Sequence, residues 1–511
     1  MSQSDRRQFL QEVSGGMLAM LVGSGLAAEL GLAAEDSKDD KTKTPSGLAR
    51  LSQLIQQTPT QDLLPALAKQ LKNGTSLKEL IAAGALANAR AFGGQDYNGY
   101  HSFMALCPSY AMAMALPEKE RPLPILKVLY RTSTHIHGAH CTNADHLDKI
   151  EPIKLDDRTS PAEQMREAAR ARKLPQAEQI FASLPGTPEQ IYDDVQLLIQ
   201  DDLNVHRVVL AWRAWEVLDF IGKDHARAML RQTVRFCSDP RHGGRGGHPI
   251  QTVLPRLLDA YKLLSATPGS KKVDDAWIER VAKTVYADKQ EKAAETVAAA
   301  LADGVEPDAI SEAISLAATM LVLGDPGRKK EGASPNKPEG SVHGDSVGVH
   351  ASDAANGWRH IATVASARNT FASLIAAAYH TAGQAGWQMS KPYPLMEDIE
   401  KVEAKDGDKL IGALDEALRG KDQRRAAAVA SRYGELGHDP KAIFAKLRQY
   451  AVSEDGALHA EKYFQTVSEE YGRSREKFRW LHVIALARVT ASAGGQPAPG
   501  VAEARKLLGL T

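Results

Sequence analysis

From residue 49 onward, apolar side chains recur at helical spacing, and strict apolar–polar alternation is almost absent. That period belongs to amphipathic helices and not to half-buried strands. The expected fold is therefore all-α, with Ala filling many of the inward positions. Four places along the chain carry the same punctuation. They read Lys72-Asn73-Gly74-Thr75-Ser76-Leu77, Leu184-Pro185-Gly186-Thr187-Pro188-Glu189, Asp303-Gly304-Val305-Glu306-Pro307-Asp308 and Leu436-Gly437-His438-Asp439-Pro440-Lys441.

Each place predicts one helix ending and another beginning. Gly74, Gly186, Gly304 and Gly437 suit the left-handed residue that closes a helix. Ser76, Thr187 and Asp439 are good N-caps, and Glu306 is a poorer one that still suits the positive end of a helix. Pro188, Pro307 and Pro440 fit the first helical position, where no amide hydrogen is needed; Leu77 departs from that pattern. Leu80, Ile191, Ile310 and Ile443 then begin the buried face. Successive caps lie 111, 119 and 133 residues apart, which is domain-sized spacing. These distances predict four tandem divergent helical units packed as a multi-helix array. Their bounds are 49–160, 161–270, 271–392 (with an exposed inserted loop over 324–340) and 393–511.

A histidine opens the helix after each cap helix. His101, His206 and His459 lie 25, 19 and 20 residues past their caps. His350 lies 44 past its own, and the inserted loop accounts for the difference. A second set follows in each of the first three units: His135, His137 and His140; His242 and His248; and His380. Imidazole titrates near neutrality and is a ready ligand for borderline metals. Helices presenting these rings inward would therefore assemble a site. Expected metal ligands are His101, His137, His206, His242, His350 and His380, for iron, copper or zinc. Expected catalytic groups are His101, His206 and His350, with Asp353 as an orienting or proton-accepting carboxylate. Arg207, like Arg245, would hold an anionic substrate. The competing explanation is that a histidine at a helix start caps it or fills space, and that duplication copied it. The run Gly243–Gly247 would let backbone approach a ligand closely.

The N-terminus carries a different signal. Arg6-Arg7-Gln8-Phe9-Leu10 precedes a mild apolar stretch from Met17 to Ala28, with small residues near Ala27–Ala34. This resembles a twin-arginine signal peptide over 1–34, with Asp5 as a departure from the usual pattern. The resemblance implies recognition by the twin-arginine translocation machinery and a periplasmic or extracellular destination. Residues 35–48 read as a charged, flexible linker.

Composition narrows the chemistry. The 63 Lys and Arg balance the 63 Asp and Glu, which argues against a general grip on nucleic acid. Three scattered cysteines make no disulfide scaffold and no Cys-x-x-Cys, so a c-type haem is not expected. Neither a P-loop nor a dinucleotide-binding glycine motif is present, so nucleotide binding is not expected either. Beyond the leader, no span of the membrane is expected after cleavage.

The repeated unit is a short helix, a Gly turn, a cap, an Ala-rich helix and then a helix that opens with His. It resembles the carboxymuconolactone decarboxylase and alkylhydroperoxidase-like helical family, most fully over Ala294–Ala354 without the inserted loop. The resemblance implies an all-α fold with a pocket between helices. The peroxidase branch uses a cysteine pair that this chain lacks, so that activity is not carried over. The decarboxylase branch uses acid–base residues near the helix start, where His350 and its equivalents match. The sequence therefore predicts an exported, His-rich helical enzyme, a metal-dependent oxidoreductase acting on a small organic molecule. The alternatives are a cofactor-free His acid/base lyase or hydrolase, and a non-enzymatic helical repeat that binds a partner.

Overall fold

A computed structural model describes residues 47–242, 248–287, 289–386, 388–389 and 391–510. The expected twin-arginine leader, the expected linker up to residue 46 and the Gly243–Gly247 run, with Arg245, lie outside the described residues. Among those residues the fold is all-α: there are many helices and three isolated β-bridges, but no strand. The first described helix, Gly47–Gln57, takes up the last two residues expected in the linker.

The punctuation does what its chemistry predicts. Gly74, Gly186, Gly304 and Gly437 all have positive φ, at 96, 105, 75 and 70°. Ser76 and Thr187 each form a complete capping box, with Glu79 and Gln190 reaching back to the cap amide. Asp439 accepts from the Lys441 amide. Glu306 makes no side-chain cap. Its backbone amide instead donates to the Lys271 carbonyl at 3.1 Å, beside the bridge between Lys271 and Val305. Leu80, Ile191, Ile310 and Ile443 are buried. The inserted loop is largely exposed or half-buried, and its base is tied by Arg328 and Lys337 to Asp345 at 2.8 and 2.7 Å.

Compactness groups the chain into two units instead of delineating four. One comprises residues up to Lys149 together with 213–232 and 499–511; the other comprises 150–212 and 233–498. The first unit is built around the Leu77–Phe92 helix, which packs on Gly47–Gln57 and Pro122–Gly138. The second is built around Pro307–Gly324, which packs on Val347–Val364, Asp275–Ala287 and Glu476–Ala493. Pro307–Gly324 is the one described helix long and apolar enough to cross a membrane, but 83% of it is buried inside the protein. A helix apolar on every side is what the centre of a large helical unit requires. Gly348 lets the Val347–Val364 helix press against it, because a Cβ there would lie 2.7 Å from the Val322 backbone nitrogen.

Candidate functional site

Within the larger unit, three of the four histidines expected to open helices meet; the fourth, His101, does not open its helix but is the fifth of the eight residues of Tyr97–Met104. His206 is the second residue of Val205–Glu216, His350 the fourth of Val347–Val364, and His459 the first of His459–Arg473. The His206 and His350 rings approach edge to face, with centroids 5.4 Å apart. His350 and His459 are tilted against each other at 5.7 Å. His350 therefore stands in the middle of a row of three imidazoles.

Local bonds set the tautomers of the outer two. Asn204 Oδ1 accepts the His206 backbone N–H at 2.9 Å, so it is also the acceptor for His206 Nδ1 at 3.0 Å. His459 Nδ1 faces the Gly456 carbonyl at 3.3 Å, and a carbonyl only accepts. Both rings thus carry their proton on Nδ1 and keep the basic lone pair on Nε2. His350 Nε2 is buried and has no hydrogen-bond partner among the described residues.

Two members of the row, His206 and His350, are held neutral. Burial first, then His350, Lys462 and His242, lower the His206 imidazole to about 3. Burial, then Lys462, lower His350 to about 4, against an opposing pull from Asp345. Lys462 is itself buried and lies one helical turn beyond His459. Its cationic head is the common neighbour of His206 and His350. A neutral imidazole beside a buried ammonium is a base with an anion-attracting partner.

A polar floor positions the row. Asp353, one turn after His350, accepts from the Thr466 hydroxyl at 2.8 Å. Further along the same two helices, Asn356 donates to Glu470 at 3.0 Å. Arg359 pairs with Glu470 at 2.5 Å and with Asp308 at 2.6 Å. Burial, the largest single influence, pushes the Glu470 carboxyl up, but Arg359, His482, Asn356 and Arg473 together hold it below its ordinary value. His360 Nε2 lies 2.6 Å from Glu469 Oε2, and Trp212 stacks on the His360 ring at 4.4 Å. These bonds clamp the His350 helix to the His459 helix.

A search of family models, of curated proteins and of solved structures returned no match to this chain. The site is therefore read from its own geometry.

The other expected residues have different surroundings. His101 belongs to the smaller unit, where its Nδ1 faces the Tyr97 carbonyl at 2.5 Å and its ring stacks on Tyr100 at 4.7 Å. His137 is also in that unit, with Nε2 2.7 Å from the Thr58 carbonyl. Arg207 is buried against Asp202 at 2.9 Å, so its charge is already matched inside the protein. His242 stacks flat on Phe236 at 4.4 Å and has Asp239 4.0 Å away. His380 is buried, receives the Trp358 indole N–H at 3.5 Å, and is lowered to about 4 by burial, His248 and His350.

Among the described residues, no group of three or more His, Cys, Asp or Glu side chains could hold a metal ion. Of the expected ligands, His137 Nε2 faces the Thr58 carbonyl and His242 stacks on Phe236. Sequence reasoning passed over Lys462 and left His459 out of the expected site. The available signal was the spacing: Lys462 follows His459 by three residues, the interval that puts two side chains on one helix face.

Proposed function

We propose that the protein is a histidine-dependent acid–base enzyme acting on a small organic substrate that carries an anionic group. His350 is the general base. His206 and His459 flank it and exchange protons with it, and Lys462 supplies the positive charge that draws the anion. Asp353 positions the His350 helix through Thr466. Arg207 is a structural residue in this reading, because Asp202 already neutralises it.

The observation that carries the proposal is the meeting of His206, His350 and His459. They come from three distant segments of the chain, and their ring centroids lie 5.4 and 5.7 Å apart. The test is a screen of small carboxylic acids against the full protein by ligand-detected NMR, followed by turnover assays on those that bind. His350→Gln should abolish turnover while leaving the fold intact, and Lys462→Met should weaken binding of the anion. Turnover unchanged in His350→Gln would overturn the proposal. Because the base is held at about 4, activity should persist well below neutrality and fall only as the pH drops towards that value.

Elemental analysis separates this reading from a metal-dependent oxidoreductase using the same histidines. A stoichiometric transition metal in native protein would replace the acid–base role. Export through the twin-arginine machinery belongs to the same proposal and rests on Arg6 and Arg7. Changing both to Lys should stop delivery of a folded reporter fused after residue 34.

A further inference from the structure

A cavity of about 40 Å³ lies in the larger unit beside the imidazole row. Its walls are mostly apolar, from Ala451, Leu486, Val489 and Ala493. Two imidazoles, His343 and His459, also line it. Gly344 makes this juxtaposition possible: a Cβ there would lie 2.0 Å from His459 Cβ, so only a bare backbone can bring the 343–344 segment against that ring.

His343 is 8% exposed. Its Nε2 is fully buried, and no donor or acceptor among the described residues reaches it. Buried polar atoms are nearly always satisfied, and an exception in an ordered interior needs an explanation. An occupant of the cavity supplies one. At roughly 10–15 Å³ per water-sized position, the volume admits about three such positions, which is the size of a molecule with two to four heavy atoms.

We infer that this cavity is a binding subsite for a short-chain alcohol, whose hydroxyl donates to His343 Nε2 while its alkyl tail lies along Ala451, Leu486 and Val489. The apolar wall selects against charged molecules, and about three water-sized positions match ethanol and propanol. His459 forms the shared wall between this subsite and the imidazole row, so a bound alcohol sits one ring away from His350. The inference extends the proposed function but does not require it, since His350 does not line the cavity.

The test is titration of the full protein with methanol, ethanol, 1-propanol and 1-hexanol, following the imidazole ¹H–¹⁵N correlations of its histidines. Saturable shifts of the His343 and His459 signals are expected with ethanol and propanol and not with hexanol. Ala451→Leu fills the cavity and should abolish the shifts. His343→Phe removes the acceptor and should abolish binding even if Ala451→Leu folds poorly. Shifts should survive in His350→Gln, which isolates this subsite from the fate of the acid–base proposal. Absence of a saturable shift with both ethanol and propanol overturns the inference, as does an unchanged shift in both cavity variants. A crystal structure from an alcohol soak that shows only water in the cavity would also overturn it.

Discussion

At the scale of single residues, the site depends on a few positions that tolerate no change in size. Gly344 is one. An added Cβ would meet His459 Cβ at 2.0 Å, and neither partner is the far end of a flexible side chain. Gly344→Ala is expected to cost about 1–3 kcal/mol, the range for overpacking a well-filled interior, and to displace His459 from His350. Chemical denaturation gives the first effect, and the His459 ring signals give the second. Glu470 is another such position: it is buried, paired to Arg359 at 2.5 Å and bonded to Asn356. Glu470→Leu should cost about 3–5 kcal/mol, because it strands a buried guanidinium. A loss below about 1 kcal/mol would show that Asp308, Arg359's other partner, holds the charge unaided.

At the scale of elements, the cap signatures separate into those that use their side chains and one that does not. Ser76→Ala and Thr187→Ala should each cost about 1 kcal/mol, as expected when a capping box is lost. Glu306→Ala should cost much less, since Glu306 makes no cap bond and its role falls to the backbone contact with Lys271. Equal losses at all three positions would contradict this. The caps were legible because a helix start is decided by a few consecutive residues. His206, His350 and His459, in the first turns of their helices, were legible for the same reason, whereas the start of Tyr97–Met104 is set by its N-cap Asp96 and His101 falls in its last turn. Arg207 was misread as an anion holder because its partner, Asp202, has no periodic relation to it that would announce the pair.

At the scale of the whole molecule, burying neutral histidines makes folding sensitive to acid. His206, His350, His380 and His482 are held at about 3 to 4. The unfolded chain binds a proton at each near the ordinary value of about 6.5. Below that value the unfolded state takes up protons that the folded state refuses until the pH reaches about 3 to 4. Stability should therefore be flat above about pH 7 and fall by up to about 1.4 kcal/mol per pH unit for each group as the pH drops through this window. Urea midpoints measured across that range check it. His206→Asn combined with His380→Asn should flatten the slope, and an unchanged slope would show that other groups govern acid unfolding.

The amino-acid sequence by itself determined that the chain is helical, where four of its helices begin, and that a histidine lies in the first turn of a later helix in three of the four cases; His101 instead falls in the last turn of Tyr97–Met104. Those features follow from periodicity, caps and glycine turns, all of which act within a few residues. Tertiary structure alone decided which histidines come together. His206, His350 and His459 are far apart in the chain, and they meet because Gly348 and Gly344 let backbones approach closely while Asp353, Arg359 and Glu470 clamp two helices. It also decided that His137 faces the Thr58 carbonyl, that His242 stacks on Phe236 and that His343 faces a cavity. Helix crossings depend on the fit of surfaces drawn from distant segments, and spacing along one chain does not encode that fit in a readable form.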